Sequence, residues 1–512
     1  MDLNLSREKI TLAKKVLDTE ISHEETVEMI VPDVQPDIFR ILDVDATALI
    51  RSKDTENGRV TVAGAAAVTV IYFPENEASA CTVRLEVPFS VTAAVEGIDH
   101  DSKVAAKISV SAVDASIINT RKFVIRANFL TSVVCFNDED LEICSGAEIS
   151  EDMYIELLGD ELEVTPYTQV MEKTFTIADE LSLPGSKPDI EEILKTRVNL
   201  SVNDARLIGN KLVFKGKALI ALLYTTARAE IESADLEAEF SQIMEIEDAS
   251  EDCGFDIIAM LTGAYFNVNS LFAGEKRTVT MELHAVSQCI AYERKKISYI
   301  RDVYSTKFVL DETSSSIVIG NKEKRSVTGN NLRCVVNTQS GVAEIISVNI
   351  QVGVVSVTET DNTSVLKAPV NISCIYKCDD GRILSAKGVF EAEANSKFTG
   401  DERRLVTCEC GNDVYASAAG GGIEIRVNAD FVIMEHDSTV LNAISDISYS
   451  EDEIIDTSLI PSVTIARVKK DATFWKLAKK HHSTTALIMN ANDIENESDL
   501  MECKMLIIPK KR

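Results

Sequence analysis

One pattern recurs along this chain at a fixed offset. Residues 31–42 read VPDVQPDIFRIL and residues 183–194 read LPGSKPDIEEIL. Pro32, Pro36, Asp37, Ile38, Ile41 and Leu42 thus stand 152 positions before Pro184, Pro188, Asp189, Ile190, Ile193 and Leu194. The same offset carries Gly64 onto Gly216 and Tyr72 onto Tyr224. A second step reaches Tyr376, which ends VNISCIY as Tyr72 ends AVTVIY. Such matches are not chance; a duplicated domain accounts for them and a single enzyme fold does not. The 512 residues leave room for about three or four domains of ~100–200 residues.

The texture of the repeats is that of strands. RVTVAG, AVTVIYF, TVRLEVPFSV, KISVSAVDASI and KFVIRANF alternate or run in β-branched residues, spaced as in an all-β domain. RVNLSVNDARLI, KLVFKGKALIALLY and TVTMELHAVSQCI repeat the series, and AEIISVNIQVGVVSV, APVNISCIY and IEIRVNADFVIM give a diverged third copy without the Pro-Asp-Ile element. The expected fold is mainly β: tandem β-rich repeats, sandwich or barrel-like, over 23–140, 165–296 and 304–437, then a small α+β (βααβ) module over 464–512. Leu5, Ile10, Leu12, Ala13, Val16 and Leu17 lie close to a helical stripe, which predicts an N-terminal helix within 1–22. Ile38, Ile41 and Leu42 behind Pro36, and their counterparts behind Pro188, predict a short helix in each copy. Residues 319–331 read as a loop, 141–164 as an acidic linker and 438–463 as a second linker. Gly420, Gly421 and Gly422 read as a hairpin turn.

Charge and cysteine narrow the class. The net charge of −30 excludes a nucleic-acid surface. The acids cluster: 138–163 hold eleven and 229–252 hold ten, with no Lys or Arg in either, which suits solvated loops or a face meeting a basic surface. No apolar run reaches the ~20 residues of a membrane span, and the N-terminus has no secretory pattern. Eleven irregularly spaced cysteines then read as reduced thiols of a cytosolic compartment. Cys374, Cys378, Cys408 and Cys410 have a C-x3-C and C-x-C spacing, but Cys374 sits in an alternating strand pattern that buries it.

The last segment has its own signature. In ARVKKDATFWKLAKKHHSTTALIMNANDIENESDLMECKMLIIP, Thr473 is placed to cap a helix from Phe474 to His481, and Thr485 to Asn490 form a second, between strands ARVKK and KMLIIP. Val468, Lys469, Thr473, Trp475, Leu477, Ala478, Asn492, Ile494, Asn496, Leu506, Ile508 and Pro509 match the LysM pattern, so 464–512 resembles a LysM domain. The resemblance implies a groove for N-acetylglucosamine glycans between the loop Asp471, Ala472, Thr473, Phe474 and the loop Leu500, Met501, Glu502, Cys503, Lys504. Asn492 and Ile494 complete the candidate partner- or glycan-binding set. Two glycines of the family pattern are absent from that groove, where Asp471-Ala472 and Cys503 stand, although glycine serves where backbone must approach a ligand. The module holds ten Lys or Arg against six Asp or Glu, which suits a protein partner or docking on the chain's own acidic segments.

Tandem repeats opening on Pro-Asp-Ile and followed by one LysM-like domain resemble the SipL-type clostridial spore coat morphogenesis family, with its SPOCS domains. The resemblance implies a non-enzymatic scaffold in the mother cell, at the forespore surface, contacting the SpoIVA-type coat morphogenetic ATPase and other coat proteins. No cofactor, metal or catalytic residue is expected. The six histidines form no H-E-x-x-H, and no G-x-S-x-G elbow or phosphate loop is present. The alternatives are a tether that binds peptidoglycan through LysM and a carbohydrate-active enzyme.

Overall fold

A computed structural model describes residues 3–511 except 76–78, 151–152, 248, 272–274, 360–362, 398–403, 412, 457, 459–460, 471, 497–498 and 501–502. Strands dominate it. Repeat 1 comprises β1 (Leu5–Ile30), β2 (Arg40–Glu56), β3 (Arg59–Phe73), β4 (Cys81–Ala94), β5 (Lys103–Asn119) and β6 (Lys122–Ala147). Sheets ordered β1-β6-β5 and β2-β3-β4 pack face to face over Val62, Val68, Phe89, Ile125 and Phe129, an antiparallel sandwich. Repeat 2 begins with β7 (Ile155–Val164), which breaks from β8 (Tyr167–Ser182). It continues with β9 (Glu192–Ile208), β10 (Lys211–Thr225), β11 (Ile231–Glu245), β12 (Gly254–Leu271), β13 (Glu275–Tyr292) and β14 (Lys295–Ser305). Repeat 3 comprises β15 (Phe308–Asn337), β16 (Val342–Val352), β17 (Ser356–Glu359), β18 (Ser364–Cys378), β19 (Ile383–Ser396), β20 (Arg404–Cys410), β21 (Tyr415–Ala419) and β22 (Gly422–Ile454). Both later repeats rebuild the same pair of sheets.

Each repeat extends a two-stranded ribbon beyond its sandwich: the outer halves of β1 and β6, the pair β7–β14, and the outer halves of β15 and β22. The three ribbons pack together through Ile10, Leu12 and Ile143, Val164 and Ile297, and Ile319 and Leu441. This overturns several sequence expectations. Within the expected helix 1–22, residues 5–22 are strand, because Ile10 and Leu12, two apart, share the buried ribbon face, and pairing with β6 overrides a weak helical stripe. Within the expected linker 141–164, residues 141–147 end β6 and 155–164 are the whole of β7, and much of 438–463 continues β22. The acids there alternate outward with Leu141 and Ile143 inward. Residues 319–331 lie within β15. The glycine turn stands as expected, with Gly421 at φ 100°.

The sandwiches surround a common axis. Leu42, Leu194 and Ile346, each 152 apart, meet there with Ile71, Leu223 and Ile375. Each of the first three is the extra residue of a β-bulge, so its successor also turns inward. The successors differ among copies. Position 43 is Asp, 195 Lys and 347 Ser; position 45 is Asp, 197 Arg and 349 Asn. Lys195 Nζ lies 2.5 Å from Asp43 Oδ2, Arg197 Nη2 2.9 Å from Asp45 Oδ2, and Asn349 Nδ2 donates to Asp45 Oδ1 at 3.2 Å. Burial alone would raise the Asp45 carboxyl, but Arg197 and Lys195 outweigh it and hold it below the usual range. Cross-repeat bonds close the ring: Arg84 donates to Ile193 O, Ser233 to Ile346 O and Arg40 to Ile383 O.

The Pro-Asp-Ile element is a turn entering β2 or β9, not a helix. Gln35 N donates to Pro32 O at 2.9 Å, and Lys187 N to Pro184 O at 3.0 Å. Arg121 holds the first turn through Gln35 O, Val31 O and Asp37, and Arg277 holds the second through Lys187 O, Pro184 O and Asp189. The repeated tyrosines finish the clamp, Tyr72 donating to Pro36 O at 2.9 Å and Tyr224 to Pro188 O at 3.0 Å. In repeat 3 only 338–341 separate β15 from β16, and the buried Tyr376 hydroxyl has no hydrogen-bond partner among the described residues. Tyr72→Phe and Tyr224→Phe should therefore each cost about 1 kcal/mol, whereas Tyr376→Phe should be neutral or mildly stabilising. Urea midpoints of the three variants check this; an equal loss in all three would contradict the clamp.

Candidate functional site

The C-terminal module consists of β23 (Val463–Arg467), α1 (Phe474–Lys480), α2 (Thr485–Ala491) and β24 (Met505–Pro509), with β23 antiparallel to β24. None of the described helices is long and apolar enough to cross a membrane. Thr473 caps α1 by accepting from Lys476 N, and Thr484 caps α2 by accepting from Leu487 N. Phe474, Ala478, Ile488, Leu500, Leu506 and Ile508 form the core, and Tyr304 of β14 enters it from repeat 2. So small a module has a thin core of its own, and repeat 2 completes it.

The contact with repeat 2 is polar as well as aromatic. Trp475 Nε1 donates to Asp302 Oδ2 at 2.7 Å, and its ring meets Tyr304 edge-on at 4.8 Å. Lys479 Nζ reaches Asp302 Oδ1 at 2.6 Å and Val303 O at 3.0 Å. Tyr304 donates to Ser483 O at 3.0 Å, and Lys511 pairs with Glu156 at 3.1 Å. Burial pushes the Asp302 carboxyl up, but the bonds from Lys479 and Trp475 more than reverse it and hold it below its usual range. Basic residues of the module thus meet acids of β7 and β14. Nothing local in RDVYS marks Asp302 and Tyr304 as a dock; the opposed charges of the module and the acidic runs are the signal that could have found them.

The candidate groove divides on inspection. Asp471, Met501 and Glu502 lie outside the described residues. The two loops do meet, Val468 N donating to Lys504 O at 3.1 Å. Ala472 and Cys503 are half-buried, and Thr473 and Lys504 exposed, although the Thr473 hydroxyl is engaged as a cap. Phe474 is buried, and Ile494 packs against the module core. Asn492 bonds Ile488 O, Ile507 O and Ile507 N, tying α2 to β24. These three hold the module together. Elsewhere, Cys374 and Cys378 are buried in the repeat 3 core, and burial pushes the Cys374 and Cys408 thiols up to about 12, which disfavours the thiolate.

Residues 37–118 and 189–269 match the family described as SipL, SPOCS domain. The two matches begin at Asp37 and Asp189 of the clamped turns and run into β5 and β12. No curated protein and no solved structure matches the chain.

Proposed function

We propose that this chain is a non-enzymatic scaffold of the endospore coat, made in the mother cell and held at the forespore surface. Its C-terminal module, read as a LysM domain, binds the SpoIVA-type coat morphogenetic ATPase. The two SPOCS-domain matches support a coat-related role in sporulation. The observation that carries the finer reading is the outer face of β23–β24. Val463, Ile465, Met505 and Ile507 all lie exposed there, 53%, 64%, 61% and 44%, with Ile465 directly opposite Ile507. Exposed Arg467, Lys469, Lys470 and Lys504 stand in or beside the same strands. An apolar patch rimmed by positive charge suits an acidic protein surface, whereas a sugar groove calls for converging polar groups. The Trp475 edge is already engaged by repeat 2, which leaves this face to the partner.

The full-length chain should co-purify with the ATPase and should not be retained on peptidoglycan. Ile465→Asp/Ile507→Asp should abolish ATPase capture while leaving Trp475 emission unchanged; as Trp475 is the single tryptophan, that emission reports whether the module stays folded and docked. Asp302→Ala, which removes the indole's acceptor, should red-shift the emission. Peptidoglycan retention without ATPase capture would overturn the reading in favour of the tether. A fluorescent fusion should outline the forespore, and diffuse signal would count against the proposed location.

A further inference from the structure

A cavity of about 1010 Å³ opens between the ribbons of repeats 1 and 3. Asp18 of β1, Glu323 of β15 and His436 of β22 converge there, their ligand atoms all within 4.8 Å of one another. The carboxylates are deeply buried, with Asp18 and Glu323 side chains 10% and 4% exposed. Asp18 Oδ2 accepts from Lys15 Nζ at 3.0 Å, while Asp18 Oδ1 is buried with no hydrogen-bond partner among the described residues. Glu323 is contacted by Lys15 and by the Tyr167 hydroxyl, and His436 Nδ1 lies 3.4 Å from Glu323 Oε1. Arg404, on the cavity wall, is engaged by Glu359. Two buried carboxylates therefore share the ammonium of Lys15, and a buried excess of negative charge is costly unless a cation answers it.

We propose that Asp18, Glu323 and His436 bind a divalent first-row transition metal ion, with Lys15 standing in the site when it is empty. Two carboxylates and one imidazole make an oxygen-rich set with a borderline nitrogen, which suits Mn2+ or Fe2+ better than a soft ion. The cavity gives the ion a way in and lets the Lys15 ammonium withdraw on its flexible stem toward Glu139 and Asp437, which line the same wall. The ligands come from the first and last repeats, so the ion would clip the ring shut. This site is independent of the module and of its partner.

The test titrates the full-length chain with Mn2+, for which the eleven thiols compete poorly, and follows loss of the free-ion EPR signal. One ion per chain is expected. Glu323→Gln and His436→Ala should each weaken binding by at least about tenfold; His436 is 38% exposed, so its variant remains informative if Glu323→Gln misfolds. Lys15→Met should melt lower without Mn2+ and recover with it, whereas a merely structural ion pair would leave that variant equally weak in both. No uptake at millimolar Mn2+ would overturn the proposal. Uptake unchanged in His436→Ala would also overturn it, placing the ion on the exposed Asp99, His100 and Asp101.

Discussion

Lys195→Met lowers the stability of the chain by about 3–5 kcal/mol, the usual cost of removing one partner from a buried ion pair. Lys195 and Asp43 are 5% and 2% exposed, so water cannot replace the lost ammonium. Asp45 keeps Arg197 and Asn349, but Asp43 is left with a charge and no counterion among the described residues. The double variant Asp43→Leu/Lys195→Met should recover most of the loss, because an apolar pair of similar volume removes the desolvation cost together with the attraction. Urea unfolding of the two singles and the double measures the coupling. A loss below 1 kcal/mol in Lys195→Met would show that the pair does not hold repeats 1 and 2 together. The pair also fixes which copy sits beside which, since an acid, a base and a hydroxyl occupy the equivalent positions 43, 195 and 347.

Gly216→Ala is expected to cost about 3 kcal/mol, at the upper end of overpacking. A Cβ there would lie 2.2 Å from Ser201 O and 2.4 Å from the Phe240 ring. Gly216 and Phe240 are direct cross-strand partners, as are Gly64 and Phe89; in each pair the ring covers the bare glycine. The equivalent pair in repeat 3 is Ala368 and Ala392. A methyl and a ring therefore exclude each other at this position. Gly64→Ala/Phe89→Ala, which copies the repeat 3 pair, should cost clearly less than the two single losses together. Strict additivity would mean that the ring and the glycine do not constrain one another.

The strands of the sandwiches were legible because a half-buried sheet prints a period of two on its residues, and the helix cap at Thr473 and the strand-helix-helix-strand order that follows β22 were legible for similar local reasons. The ribbons were not. Leu5 to Leu17 mix both periods over a short span, and only the partner strand β6 decides between them. The runs of acid conceal their strands by composition, though Leu141 and Ile143 keep the alternation. The hub escapes a comparison of copies by identity, since Asp43 and Lys195 share a position and not a residue type. Arg121 and Arg277 hold the Pro-Asp-Ile turns from distant hairpins. The contact face for repeat 2 is legible only as opposed charge, while the apolar alternation of ARVKK and KMLIIP gives their strands without saying which side stays uncovered.

The ribbons also bear on how such a chain comes off the ribosome. Leu3 N donates to Ile447 O, so the first strand gains that neighbour only after the several hundred residues between them have been made. At about 5–20 residues per second, that wait is roughly 20–90 s. During it the first ribbon keeps an apolar flank that only later segments can cover. A product interrupted before Ile447 lacks the strand that covers this flank, and leaves it open to association with other chains.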